Sequence, residues 1–401
     1  MRQPLLDCSG NGQDRLTVAL ISTYPPRECG IATFTRDLNL ALNLESPWVE
    51  TFVVAITGDG ARYAYGTEVR WELRQDDPVS YLEVAEALND AGVDVVNIQH
   101  EFGIFGGEWG EYVLNLMERV DAPIVTTLHT VLPDPLPIAR RITREIIELS
   151  DAIVVMLPSA VGILAESYGI ASDHRIHVIP HGVPTAPFTP PPEAKQQLGL
   201  LEREVITTFG LLSSGKGIED VIEALPRVRA KYPRVLYLVL GQTHPNVLRR
   251  EGEAYRNFLV QRVKDLGLEE NVRFYNRYLS EEELATYLSV TDIYITPYHN
   301  PDQVASGTLS YALGFGRAII STPYLYARDV LKDGRGILVP FRNPEAIAQA
   351  ILYLLDHPEV RQKLQHNAYA LGTQMRWPKV ARSYLALFTK MSAERVQPAA
   401  S

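Results

Sequence analysis

Residues 210–217 read GLLSSGKG, and the spacing of Gly210, Gly215 and Lys216 suits a phosphate. Glycines let backbone N–H groups face phosphate oxygens, and a lysine neutralises their charge. A P-loop NTPase would place Ser or Thr next, to hold Mg²⁺, and this chain places Gly217 there. That class also needs a second strand ending in Asp, whereas VLYLVLG ends in Gly241 and IYITP in Pro297. The phosphate contact survives these tests, and nucleotide hydrolysis becomes the minority reading.

Four other places carry chemistry. In NPDQVASGTLSYALGFG, Ser306, Gly307 and Thr308 open a helix after the strand DIYITPY, so N–H groups there are free for a second phosphate or a sugar hydroxyl. A plain capped helix explains Ser and Thr equally well. In STYPPRECGIATFTRDL, Gly30 sits where loop becomes helix, at the positive end of the helix dipole. A glycine needed for the turn alone is an even alternative, and Cys29 beside it reads as a buried, inert thiol. NIQHEFGIFGGEWG ends a strand on His100 and Glu101, followed by Phe102, Phe105 and Trp109, a composition suited to holding a polar ring against aromatic faces. The bland alternative is a strand-end pair that caps the next helix. TTLHTV puts His129 at the end of the following strand. Two histidines without a carboxylate cluster make a metal pair the weaker reading.

The elements that must position these residues alternate. In the first half, short apolar runs such as LTVALIS, TFVVAI, VDVVNIQH, APIVTTLHT and AIVVMLP are separated by helical segments, the pattern of a parallel sheet covered on both faces. The pattern restarts after PTAPFTPPP (184–192), whose five prolines suit a stiff, extended connector. The fold class expected is therefore α/β, two doubly wound Rossmann-like parallel-sheet domains facing a central cleft: 1–188, then 189–375, with a helix and tail over 376–401. Ligands of such sheets bind at the carboxyl ends of strands, where every residue named above falls.

Bulk properties narrow the partners. A chain of 401 residues with net charge −10 is not built to bind nucleic acid. Cys8 and Cys29, far apart, predict neither disulfide nor zinc site, and no stretch reads as a signal peptide or membrane span, so a cytoplasmic protein is expected. The segment with Arg140, Arg141 and Arg144 beside Ile138, Ile142 and Ile146 suits peripheral contact with an anionic inner-membrane face, although an amphipathic helix packed on its own sheet is commoner.

Taken together, these segments resemble the family 4 glycosyltransferases, enzymes of the GT-B architecture that move a sugar from a nucleotide sugar to an acceptor. The resemblance runs through CGIATFTRDL, IQHE, TLHT, VIPHGV, FGLLSSGKGIEDVIEALP, VRFYNRYLSEEELATYLSVTDIYITP and ALGFGRAIISTP, in order, over nearly the whole chain. It implies Lys216 on the donor diphosphate, with Gly30 closing over it from the other domain, and His129 near the reacting sugar; these two side chains are the catalytic candidates. It implies a donor site of Gly30, Gly215, Lys216, Gly241, Ser306, Gly307, Thr308 and Leu309, with the backbone around Arg277 and Tyr278 meeting the base. His100, Glu101 and Phe102 would face the acceptor. No cofactor and no metal are implied, the leaving diphosphate being stabilised by cationic side chains and helix dipoles, and the chain has no Asp-x-Asp.

Two positions depart from the family's pattern. Leu211 stands where most relatives carry Arg, leaving Arg317 or another basic residue to compensate. Gln303 and Tyr311 stand where the family shows two glutamates, and either can hydrogen-bond a hydroxyl without a carboxylate charge. The expectation is a hexosyl transfer with retention, from GDP-mannose first and UDP-glucose or UDP-N-acetylglucosamine second, to a saccharide or lipid-linked acceptor. A non-catalytic nucleotide-sugar or glycan binder of the same fold is the main alternative, ahead of a P-loop NTPase and of an epimerase, which should show a pair of catalytic carboxylates in the cleft.

Overall fold

A computed structural model describes residues 15–396 apart from Asp59, Ala171 and Ser172, so Cys8 lies outside the described residues. Seven parallel strands form the first sheet: β1 (Leu16–Ser22), β2 (Val49–Thr57), β3 (Val69–Arg74), β4 (Val95–His100), β5 (Ile124–Leu128), β6 (Ala152–Val155) and β7 (Ile176–Val178). Six form the second: β8 (Val205–Phe209), β9 (Leu236–Leu240), β10 (Val272–Tyr275), β11 (Ile293–Thr296), β12 (Ala318–Ser321) and β13 (Ile337–Leu338). Their orders, β3-β2-β1-β4-β5-β6-β7 and β10-β9-β8-β11-β12-β13, each reverse direction beside the first strand of the unit. This is the doubly wound pair of domains read from the alternating pattern.

The central strands are continuous apolar runs because helices cover both faces; β4 and β5 are buried at every position. β3 is an edge strand with only Leu73 fully buried, which is why VRWELR carries no such run.

The chain crosses between the two units twice, side by side. Val183 donates its N–H to the Met375 carbonyl at 2.8 Å and accepts from the Trp377 N–H at 3.0 Å. The C-terminal helix Trp377–Val396 then packs on the first unit, where Trp377, Val380, Ala381, Tyr384 and Phe388 share a buried cluster with Phe34, Leu38 and Leu42. The proline-rich connector is less open than its composition suggests. Ala186 accepts hydrogen bonds from Tyr369 and Arg376 of the second unit. At Pro191 the chain already turns into the helix Pro191–Gln197, since proline's fixed φ suits a first helical turn.

Arg317 is part of this anchorage. Its side chain is 1% exposed and its guanidinium donates to the carbonyls of Phe315, Ser289, Thr291 and, on the connector, Thr189. It holds the linker to the second unit and does not stand in for the arginine missing at Leu211.

Candidate active site

β8 leads into the phosphate-like loop through Gly210, and β9 ends beside it at Gly241. A side chain on Gly241 would overlap the Gly210 carbonyl, so this glycine serves the close approach of two loops. Leu212 then donates to the Gln242 carbonyl at 2.8 Å, and His244 donates to that of Leu212 at 2.9 Å. A tight turn over Ser214–Lys216 and a left-handed Gly217 start the helix Ile218–Lys231.

Lys216 extends over the ring of Tyr298, with Nζ 4.0 Å from its centroid. It has no acidic partner among the described residues, and burial pushes its ammonium down to about 8. Phe209, Gly210, Leu211 and Leu212 line the same small cavity. An unpaired, desolvated cation facing a cavity is what an anionic ligand needs.

The second glycine-rich segment meets this wall directly. Tyr298 bonds the Thr308 hydroxyl at 2.7 Å, joining the platform under Lys216 to the start of the helix Gly307–Gly314. Ser306 caps that helix, accepting from the Leu309 N–H at 3.3 Å, which leaves the N–H groups of Gly307 and Thr308 unpaired among the described residues. Of the two readings of Ser306, the cap is the one its geometry shows. Ser306→Ala is expected to lower stability by about 1 kcal/mol, the usual worth of an N-cap hydroxyl, readable as a lower thermal midpoint. On the other side His181 reaches across from the first unit, so that a side chain on Gly307 would sit 3.1 Å from its Nε2.

In the first unit, Gly30 begins the helix Gly30–Glu45, and a side chain there would meet nothing within 4 Å. Cys29 is half-exposed rather than buried, because its sulfur caps this helix by accepting from the Ala32 N–H at 3.3 Å. His129 is 7% exposed, with Nε2 2.9 Å from Gln99 Oε1 and its ring edge-on to Phe34, which also touches His181 and Trp377. Burial, then the neighbouring His181 and His100, holds it neutral, down to about 3.

The aromatic loop holds a polar ring of the protein's own. His100 is 1% exposed, stacked on Phe105 with centroids 5.7 Å apart and edge-on to Phe102, and neither ring nitrogen has a partner among the described residues. Burial holds it neutral, down to about 3. Glu101 accepts from the Phe102 N–H at 3.1 Å and the Thr130 hydroxyl at 2.5 Å, the capping geometry of the blander reading. An acceptor would therefore reach the His100 ring only through movement of the loop that carries Phe102, whereas Glu101 is partly exposed.

The helix Gly30–Glu45 also contacts the second unit. Thr33 bonds the hydroxyl of Tyr278 at 2.9 Å, Arg36 pairs with Glu281 at 3.2 Å, and buried Asp37 accepts from the Tyr311 hydroxyl at 3.1 Å. Glu28, just before the helix, accepts from Gln242. Arg277 pairs with Glu283 of its own unit. Gln303 donates to the Ala305 carbonyl at 2.8 Å. Gln303 thus spends an amide N–H, and Tyr311 its hydroxyl proton, on protein partners.

Sequence reasoning singled out Tyr278 and Tyr311 but missed Asp37, Glu281 and His181. Asp37 had a signal: a carboxylate among Phe34, Leu38, Ala41 and Leu42 on the buried side of its helix.

Away from the cleft, the isoleucines of the basic helix Pro137–Glu148 face inward: Ile142, Ile146 and Ile147 are buried and Ile138 is partly so. Arg141 is paired with Glu111 and Glu145. This face covers the protein's own sheet and is not available to a bilayer. Among the described residues no helix is long and apolar enough to cross a membrane, and no cluster of three His, Cys, Asp or Glu could hold a metal ion.

Comparison with known proteins agrees with this arrangement. Residues 31–187 match the family described as Glycosyltransferase Family 4, and residues 191–371 that described as Glycosyl transferases group 1. The chain is 27% identical over 338 residues to the D-inositol 3-phosphate glycosyltransferase of Acidothermus cellulolyticus, covering 78% of this chain and 70% of that one. It is 24% identical over 314 residues to the phosphatidyl-myo-inositol mannosyltransferase of Propionibacterium freudenreichii, covering 77% and 73%. Among solved structures it is similar to sucrose-phosphate synthase from Thermosynechococcus elongatus, with TM-score 0.76 at 19% identity over 95% of this chain and all of that one. It is also similar to Anabaena HepE in complex with UDP, with TM-score 0.71 at 15% identity over 94% and 100%. With both halves matched in order and the two-sheet architecture shared, the chain belongs to the family 4 glycosyltransferases of the GT-B fold.

Proposed function

We propose that this glycosyltransferase moves a hexosyl group, mannosyl from GDP-mannose in the first instance, to a saccharide or lipid-linked acceptor with retention of configuration and without a metal or other cofactor. The observation that carries the reading is Lys216, an unpaired and desolvated ammonium tied through Tyr298 and Thr308 to the free N–H groups of a helix start. Together they form a preorganised counter-charge for a diphosphate whose negative charge grows as the glycosidic bond loosens. The open N-terminus at Gly30 supplies a third set of N–H groups from the opposite unit. His129, neutral and oriented by Gln99, offers a hydrogen bond to a sugar hydroxyl rather than a charge. Closure brings the Gly30 helix onto Tyr278, Glu281 and Tyr311, and the adjacent crossings at Val183 and Trp377 supply the pivot.

The mannosyl choice and a phosphorylated or lipid-linked acceptor draw support from the names of the relatives. Complexes of HepE with UDP and UDP-glucose keep uridine donors as the competing choice. A binder without turnover is the second reading, favoured by the engagement of Gln303 and Tyr311 with protein groups.

A thermal-shift panel of UDP, GDP and ADP sugars and of ATP, each with and without Mg²⁺, tests both readings. A GDP- or UDP-sugar is expected to stabilise the protein equally with and without Mg²⁺ and to be consumed with a suitable acceptor. Stabilisation without consumption favours the binder. Stabilisation by Mg-ATP and by no nucleotide sugar would overturn the proposal.

A further inference from the structure

If the donor lies as proposed, its ribose spans from the diphosphate at Lys216 and the Gly307 helix to the base beside Tyr278. A ribose diol offers two hydroxyl donors, and the strongest neutral-pH acceptor for such a pair is a carboxylate. The Gly307 helix presents none: Gln303 is bonded to a backbone carbonyl, and the Tyr311 hydroxyl donates to Asp37. Asp37 in turn is occupied, since Arg36 donates twice to its other oxygen, at 2.6 and 2.9 Å.

We infer that Glu281, at the start of the helix Glu281–Val290, is the carboxylate that receives the donor's ribose hydroxyls. It follows Tyr278 by three residues, and Arg36, which pairs with it, also pairs with Asp37, the acceptor of the Tyr311 hydroxyl, so the contacts of one helix of the first unit gather the base loop, Glu281 and the Gly307 helix. Its Oε2 is held by Arg36 at 3.2 Å, while Oε1 takes no hydrogen bond from the described residues, and the side chain is 45% exposed. One oxygen is thus anchored and the other free for a ligand. Arg36 belongs to the opposite unit, so the same ion pair fixes the acceptor oxygen only when the cleft is closed. This gives the nucleotide a direct part in closure: the ribose is recognised by a carboxylate that the other domain orients.

The inference rests on the nucleotide-sugar reading, and calorimetric titration separates the two. UDP and GDP, with the 2′-deoxy and 3′-deoxy form of whichever binds, are titrated into the wild type, Glu281→Gln and Arg36→Met. Glu281→Gln is expected to weaken the ribonucleotide about tenfold, the scale of one charge-assisted hydrogen bond. At least one deoxy form should bind the wild type more weakly and lose nothing further on Glu281→Gln. Arg36→Met, which keeps the carboxylate and removes the group that orients it, should weaken the ribonucleotide and narrow, without abolishing, the difference between ribo and deoxy forms. An equal loss for ribo and deoxy forms, or no loss at all, overturns the role of Glu281 and leaves the nucleotide reading intact. Failure of the wild type to bind either nucleotide overturns that reading and this inference with it.

Discussion

Replacing Lys216 by Ala is expected to weaken nucleotide-diphosphate binding by about 2 kcal/mol, roughly 30-fold, the worth of a charge-assisted hydrogen bond to a buried partner. Among the described residues the side chain has no carboxylate to neutralise it, so the charge it carries below about pH 8 is available to a ligand. Its depressed titration adds a signature that a surface lysine would not give. In the free protein the ammonium loses its proton near pH 8 because burial disfavours the charge. A bound diphosphate favours the charged form, so the bound-state value lies higher and binding takes up a proton between the two. Affinity should therefore be flat below about pH 8 and fall as pH rises through it, by up to tenfold per unit. Lys216→Ala should bind weakly with no such fall. Calorimetry across pH checks both; an unchanged affinity in the variant would remove Lys216 from the site.

The loop carrying that lysine was legible in the sequence as a strand-to-helix turn, because glycines and a cation follow an apolar run, and the sheets were legible because buried parallel strands are unbroken runs of Val, Ile and Leu. What stayed hidden was long-range. Tyr298 under Lys216 is one aromatic among twenty tyrosines until β11 and β8 are seen to be neighbours. Glu281 looks like the first of three glutamates in a helix cap, and only Arg36 from the other domain singles it out. His100 misled in the opposite direction: its type and place at a strand end suggest a contact residue, whereas the aromatic loop closes over it. Short elements escaped for a local reason. Pro191 and Pro192 read as extended chain, yet two prolines fit the first turn of a helix, where no N–H is needed.

Gly217→Ser gives the chain the P-loop spelling it lacks and is expected to damage it. Gly217 has φ +64°, in the left-handed region, which costs a non-glycine residue about 1–2 kcal/mol. Space is a second and independent obstacle: a Cβ would overlap the Pro297 carbonyl and lie 2.8 Å from His299 Nε2. His299 cannot simply yield, since it bonds Asp220 at 2.7 Å and donates its N–H to the Gly215 carbonyl at 2.9 Å. Relief must come from the exit of β11, which carries Tyr298 beneath Lys216. The variant is therefore expected to lose about 3 kcal/mol of stability, strain and overpacking together, and to lose diphosphate affinity without gaining hydrolysis of Mg-ATP. Gly215→Ala is the control, because a side chain there meets nothing within 4 Å and should leave the thermal midpoint unchanged. A Gly217→Ser protein as stable as the wild type that binds Mg-ATP would show that position 217 is glycine for want of a hydroxyl. A destabilised one would show instead that the glycine is there because two loops must touch at that point for Lys216 to face its ligand.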